Sequence, residues 1–296
     1  VESSVSGADV TSVDDTFLAN QQPIALSDTL RILPGAVLNS AGQRGGLTSL
    51  FVRGGESRYN KVIIDGVPVN EVGGLFDFGT TSMVNADRVE FMRGAQSTLY
   101  GTDAMTSVVQ VFSGQGTTRT PELRFGADGG TFSTARGYAS LAGAIHRIDY
   151  NLFGEQLNTD GQGPNDEYSL AAQGGNVGVA ITPKAFLRFR ARHDNSSVGV
   201  QNEWVFGGKA LLPPDLDGHA RANNFLSSLD LSYTQSPHWR HEITGFEYNH
   251  RRYNQDNTSD RGCAPFFLDC PFVQDDRQNR AGFKYQGEWS PLDWTR

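Results

Sequence analysis

Residues able to do chemistry are few in this sequence and far apart. Cys263 and Cys270 sit in one polar loop. The pair reads as a loop disulfide formed in an oxidising compartment, with two free surface thiols as the alternative. Zinc is disfavoured, because no histidine lies at ligand spacing from them. Asp160, Asn165, Asp166 and Glu167 belong to the run DGQGPNDE, whose hard oxygen donors and glycines suit calcium. Its spacing is not that of an EF-hand, so a solvated polar loop is the competing reading. The six histidines are scattered, and His238 and His241 would fall on opposite faces of a strand. No nucleophile elbow, Walker loop or paired-carboxylate motif occurs, and the chain is not read as an enzyme.

The elements that carry these residues divide the chain in two. Its 296 residues include 34 glycines, and its formal net charge is −8. An acidic balance excludes a nucleic-acid binder, since nothing could neutralise a row of phosphates. No apolar run approaches the ~20 residues of a spanning helix. With a mean hydropathy of −0.42, composition alone suggests a soluble two-domain protein. Val1 to Val10 carries no basic and apolar signal-peptide pattern.

Up to about Gly114, short helix-like and strand-like pieces alternate. Ser27-Asp28 can cap a short helix bearing Leu30 and Leu33, which Pro34-Gly35 stops. Lys61 to Asp65, Asp87 to Met92 and Val108 to Phe112 read as strands. After Thr120 the pattern becomes long two-residue alternation, as in Ala185 to Arg192, His146 to Leu157, Phe225 to Gln235 and Ala281 to Trp289. About eight such segments occur, most of ten residues or more, longer than the usual five or six of globular sheets. Tight turns at Asp128-Gly129-Gly130, Thr182-Pro183-Lys184 and Ser236-Pro237-His238 alternate with long polar connections at 158–167, 197–223 and 253–278. Short turns at one end and long loops at the other are the arrangement of a membrane barrel, with Tyr150, Tyr233, Tyr285 and Trp289 suited to an aromatic girdle. The expected fold is a transmembrane antiparallel β-barrel, truncated with about eight strands present, preceded by a small α+β domain. The boundary divides the chain into 1–114 and 115–296.

Five motifs in the first region carry a family resemblance. Asp28 to Gly35 (DTLRILPG), Phe51 to Gly54 (FVRG), Val62 to Asn70 (VIIDGVPVN), Arg88 to Gly94 (RVEFMRG) and Ser97 to Ala104 (STLYGTDA) occur in order across 24–112. Together they resemble the plug domain of TonB-dependent outer-membrane receptors. Gly45 to Gly54 (GGLTSLFVRG) is similar to the cobalamin (vitamin B12) receptor type. The chain departs from the family at Thr106 to Val111 (TSVVQV), which stands where glycines are usual. The loop Glu71 to Asp77 is also shorter than in cobalamin receptors.

The resemblance implies a plug lodged in a barrel of roughly 22 strands in the outer membrane of a Gram-negative bacterium. It implies high-affinity uptake of a scarce nutrient complex, cobalamin or a ferric siderophore, driven through the partner TonB and its inner-membrane energising complex. Outer-membrane lipid surrounds such a barrel, and no nucleic acid is involved. No TonB box is visible in Val1 to Val10. Carried over by position, substrate contacts fall at Asn39, Ala41, Leu47, Thr48, Ser49, Gly74 and Leu75, although Thr48 and Ser49 could instead satisfy turn backbone. Arg53 and Arg93 resemble plug arginines that pair with barrel-wall carboxylates, expected beyond Arg296, either as a rearrangeable lock or as plain structural bridges. Calcium in the 160–167 loop would match some cobalamin receptors; otherwise no cofactor is expected. An oligosaccharide or other small-metabolite receptor of the same family is the alternative. In a different class stands a soluble β-rich adhesion or carbohydrate-binding module.

Overall fold

The computed structural model describes residues 9–201, 204–205, 209–210, 215–257 and 270–290. Its first region begins with β1 (Asp9–Val13), α1 (Asp15–Gln21), α2 (Leu26–Leu30), β2 (Ala36–Ser40) and β3 (Thr48–Val52). It continues with β4 (Asn60–Ile64), β5 (Val67–Pro68), β6 (Ala86–Arg93), α3 (Ser97–Tyr100) and β7 (Ser107–Ser113). β2 and β3 form a separate hairpin, while the remaining strands build a sheet in the order β1-β6-β7-β4-β5. β4 runs parallel to β7, and its five residues are all buried. Such a doubly covered strand explains the unbroken apolar stretch VII.

The motif residues of this region hold backbone. Asp65 takes the left-handed conformation (φ 49°) at the β4–β5 turn, and its carboxylate accepts from Ser113 N and Oγ at 2.8 and 2.7 Å. Asn70 is fully buried; it accepts from Val62 N and donates to the carbonyls of Asn60 and Gly74. Buried backbone groups must be paired, and an asparagine can serve both donors and acceptors where no strand reaches. In place of the usual glycines, Thr106 and Ser107 donate their hydroxyls to Asn60 Oδ1 at 2.8 and 2.7 Å.

Two sequence expectations shift here. The helix at 26–30 starts one residue before the expected Ser27-Asp28 cap. Asp28 instead reaches back from within it to accept from Ile24 N and Ala25 N. The strand β1 and the helix α1, capped by Asp14 accepting from Phe17 N at 2.9 Å, were not anticipated.

The second region is one antiparallel sheet. It contains β8 (Glu122–Gly129), β9 (Ala135–Ile145), β10 (Ile148–Thr159), β11 (Tyr168–Thr182) and β12 (Ala185–Gly199). Two short strands, β13 (Trp204–Val205) and β14 (Lys209–Ala210), pair with each other in a long loop. β15 (His219–Ser236), β16 (Trp239–Asp256) and β17 (Phe272–Trp289) complete it. The order β17-β16-β15-β12-β11-β10-β9-β8 gives eight strands in an open sheet with β8 and β17 at its edges. Tight turns at 146–147, 183–184 and 237–238 mark one end. The Asp128–Gly130 turn is a correction: it lies at the opposite, long-loop end, where Asp160 N donates to Phe132 O.

The sheet curves around the first region. Leu226 and Tyr248 of its concave face join the core formed by Leu26, Leu30, Val62, Val89 and Phe91. Its convex face exposes Phe125, Leu152, Phe189, Leu229, Ile243 and Phe283. At the short-turn end Trp239 stacks on Trp289 with ring centroids 5.8 Å apart, and His241 stacks on Tyr285 at 6.1 Å. Apolar outward residues bounded by an aromatic band are the lipid-facing surface of a barrel wall. Several strands outrun their apolar stretches: β15, β16 and β17 have 18 residues each. Beyond the lipid both faces are wet, so alternation no longer marks a strand.

Candidate functional site

A cavity of about 990 Å³ opens at the long-loop end, between the β2–β3 hairpin loop of the first region, the loop before β11 and the ends of β12, β15, β16 and β17. Ala41, Gln43, Gly45 and Leu47 form its floor; Asp166, Val198, Ala220, Arg252, Asn254 and Asp256 belong to its walls. The hairpin loop closes through Ala41 N donating to Leu47 O at 2.9 Å. Gln43 donates to Gly199 O of the wall at 2.6 Å. Gly45 adopts φ 86°, and a Cβ there would lie 2.1 Å from the Tyr168 ring. Both the backbone angle and the aromatic contact demand glycine, which fixes the hairpin tip against β11.

Beneath the floor, Asp77 accepts from Thr48 N at 3.0 Å and from Gly79 N at 2.9 Å. Burial pushes its carboxyl up to about 6, against the opposing pull of those two amides and of the Arg252 guanidinium. Arg252 lies 3.1 Å from Glu71 and 3.7 Å from Asp77, so one wall cation holds two carboxylates of the first region. Arg280 of β17 donates to the carbonyls of Pro68 and Asn70.

A second polar seam runs deeper. Glu155, fully buried, accepts from Ser82 Oγ and from Arg136 Nε. Arg192 donates to Ser82 O at 2.6 Å while pairing with Asp194 at 2.8 Å. Asn176 donates to Gly114 O at 2.9 Å. Such a hydrogen-bonded seam seats the first region firmly yet leaves polar partners on both sides, unlike a sealed apolar interface.

The seven expected substrate positions separate on this geometry. Ala41 and Leu47 line the cavity. Thr48 is buried beneath it, its hydroxyl bonded to Ser40 Oγ and Gly46 O. Asn39 and Ser49 face each other across the hairpin. Gly74 and Leu75 belong to a tight turn in which Glu71 N donates to Leu75 O, away from the cavity lining.

Arg53 and Arg93 meet a partner that was not expected. Both reach Asp9 of β1, at 3.1 and 2.6 Å, and Arg93 adds Thr11 Oγ1 at 2.9 Å and the Pro34 carbonyl. Among the described residues their counter-charge is this N-terminal strand rather than a carboxylate of β8 to β17. We expect Asp9→Ala to change global stability little, since the carboxylate is half exposed. It should nevertheless speed protease cleavage around β1 in the full-length protein, and an unchanged cleavage rate would count against the clasp.

The oxygen-rich loop is used internally. Asp166 accepts from Gln162 N and Gly163 N, Asn165 donates to the Val200 and Gly218 carbonyls, and Glu167 lies 3.4 Å from His219. Asp160 is exposed. Among the described residues, the carboxylates whose oxygens lie within 4.8 Å of one another are those of Asp215, Asp217 and Asp256. Cys270 is disulfide-bonded; Cys263, the only other cysteine of the sequence, lies outside the described residues.

The wall residues Val198, Ala220, Asn254 and Asp256 escaped sequence reading because 197–223 and 253–278 were each taken as one loop. Continuing the alternation of β16 past Tyr248 would have placed His250, Arg252, Asn254 and Asp256 on the concave face.

Residues 4–108 match the model of the TonB-dependent Receptor Plug Domain family. The vitamin B12 transporter BtuB of Vibrio cholerae serotype O1 is 35% identical over 107 residues, which are 36% of this chain and 18% of the relative. Among solved structures, the ferric yersiniabactin uptake receptor FyuA of Yersinia pestis superposes with a TM-score of 0.72 at 17% identity. That match covers 85% of this chain and 42% of the other. The siderophore receptor PiuA of Acinetobacter baumannii gives 0.73 at 14% identity, covering 96% and 43%. The match thus spans less than a fifth of the curated relative's length and under half of the structural ones.

Proposed function

We propose that this chain belongs to a TonB-dependent receptor of the Gram-negative outer membrane that takes up a scarce nutrient complex through the cavity at its plug apex. The substrate is a corrinoid or a ferric siderophore, and the energy comes through TonB. The observation that supports this reading is the position of the cavity. It lies between the plug hairpin and the outer rim of the wall, so an occupant touches both bodies at once. Binding there can alter how the plug sits, because Arg252 both lines the cavity and holds Glu71 and Asp77 of the plug. A ligand can shift an equilibrium only through such differential contacts.

Gly45→Val provides the test. A β-branched residue at a left-handed position costs at least ~1–2 kcal/mol, and its side chain collides with Tyr168. The hairpin tip must move, and we expect the full-length receptor to lose at least about tenfold in nutrient affinity while still assembling in the outer membrane. Unchanged affinity in a correctly assembled variant would place the ligand elsewhere.

A further inference from the structure

On the convex side of the wall, the apolar surface ends in guanidinium groups on three neighbouring strands. Arg221 of β15, Arg251 of β16 and Arg277 of β17 are all exposed. Each stands an even number of residues from an outward apolar side chain of its own strand, Leu229, Ile243 and Phe283 respectively. All three therefore share the lipid-facing side. Arg251 and Arg277 are each twelve residues along the strand from the stacked Trp239 and Trp289. At ~3.3 Å per residue and a tilt of ~40°, they stand about 30 Å above that aromatic band, just past an apolar belt about 25 Å tall. That is the level of the outer headgroups.

The pairing register brings the three together. Arg251 lies directly opposite Arg277 on one side and Asn223 on the other, with Arg221 one outward position further along β15. Asp275 accepts from Arg251 at 2.8 and 2.9 Å and from Arg277 at 2.6 Å, so one carboxylate orients two guanidiniums. The Nη1 groups of both, and the whole Arg221 side chain, make no hydrogen bond or ion pair among the described residues. Glu247, the other outward carboxylate of β15 to β17, lies two outward positions nearer the lipid and accepts from Asn249 at 3.0 Å. Beyond the apolar stretches of β10 and β11 the outward residues are uncharged, Gln156 and Asn158 on one strand and Ala171 and Ser169 on the other. The basic cluster is thus local to one sector of the wall.

We propose that this surface holds the headgroup of a phosphate-bearing glycolipid of the outer leaflet, with its acyl chains lying along Leu229, Ile243 and Phe283. The proposal rests on the barrel wall alone and is independent of the nutrient. A planar guanidinium presents its N–H groups in a fork that matches phosphate oxygens. Like charges directly opposite each other destabilise a sheet, and Asp275 offsets only one of the facing pair. A phosphate at the free Nη1 edges relieves what remains. The exposed amides of Asn195 and Asn223, paired across β12 and β15, can meet headgroup hydroxyls as both donors and acceptors. A soluble anion would gain the guanidiniums but nothing from the apolar belt below them, whereas a lipid engages both.

The test is a lipid titration of the full-length protein in mild detergent, read by native mass spectrometry. Three probes are compared: lipid A, phosphatidylglycerol and inorganic phosphate. Lipid A should bind saturably, at least about tenfold tighter than phosphatidylglycerol, and salt should weaken it. Arg221→Gln, Arg251→Gln and Arg277→Gln combined should lower lipid A affinity at least about tenfold. Arg240→Gln, an exposed arginine at the short-turn end, should leave it unchanged. If the triple variant fails to assemble, Arg221→Gln alone serves, because this side chain has no polar contact among the described residues to lose. Its expected loss is at least about threefold. Equal lipid A affinity in wild type and these variants overturns the proposal, as does phosphatidylglycerol binding as tightly as lipid A. Inorganic phosphate binding as tightly as lipid A would also overturn it, since the surface would then be a free-anion site.

Discussion

Glu155→Ala is expected to loosen the plug severely within its wall. The Glu155 carboxylate is fully buried and accepts from Ser82 of the plug and from Arg136, itself only 6% exposed. Truncation leaves Arg136 with Asp128 as its carboxylate, at 3.2 Å and half exposed, and strips the Ser82 O–H of its acceptor, so that Ser82 Oγ keeps only the bond it accepts from Val84 N. Removing one member of a buried ion pair costs about 3–5 kcal/mol, because the surviving charge stays desolvated. In a denaturant titration of the full-length protein this corresponds to a midpoint lowered by about 1–2 M urea. Glu155→Gln, which keeps an acceptor oxygen, should lose less. An unmoved midpoint for the alanine variant would mean that the seam does not hold the plug.

A comparable effect is expected at Asp77, this time as a pH dependence. Its carboxyl is raised from 3.8 to about 6, first by burial. A carboxylate raised on folding binds its proton more tightly in the native state. The resulting stabilisation is complete below about pH 4, declines as pH rises to about 6, and stays constant above that. The shift of about two pH units amounts to about 3 kcal/mol at most. Asp77→Asn removes this titration, so the difference in unfolding midpoint between the two proteins should change between pH 4 and 6 and be flat from 7 to 8. A constant difference across the whole range would show that Asp77 titrates normally and that water reaches the plug floor.

These contacts show what sequence alone could and could not deliver. The plug was legible because its motifs are local backbone devices. Asp65 fits a left-handed turn, Asn70 satisfies three backbone groups, and Gly45 permits a close approach, so residue type and spacing carry the information. The lipid-facing wall was legible through its two-residue alternation. Partnership across long separations was not. Nothing near Arg53 or Arg93 indicates that Asp9 is their counter-ion, since β1 reaches them only by pairing with β6. The cavity walls were hidden for a different reason. Above the lipid both faces of β15 to β17 are polar, and a strand of that kind has the composition of a loop.

The inward lining of the cavity, in turn, needed the pairing register. His250, Arg252, Asn254 and Asp256 are interleaved with Arg251, Tyr253 and Gln255, and only the fold decides which set faces the plug. The same holds for Thr48 and Asp77, which lie 29 residues apart yet share a hydrogen bond beneath the cavity floor. Of the expected substrate positions, Thr48 therefore supports the floor, while Ala41 and Leu47 line the cavity itself.

The proposed energised uptake through the plug apex can be followed as accumulation of radiolabelled cyanocobalamin or ferrichrome by cells producing the full-length protein, with TonB present and with TonB deleted. We expect saturable surface binding in both strains and accumulation only where TonB is present. Gly45→Val should lose binding and accumulation together. Accumulation at the same rate without TonB, or unaffected by the Gly45 substitution, would contradict uptake by this route.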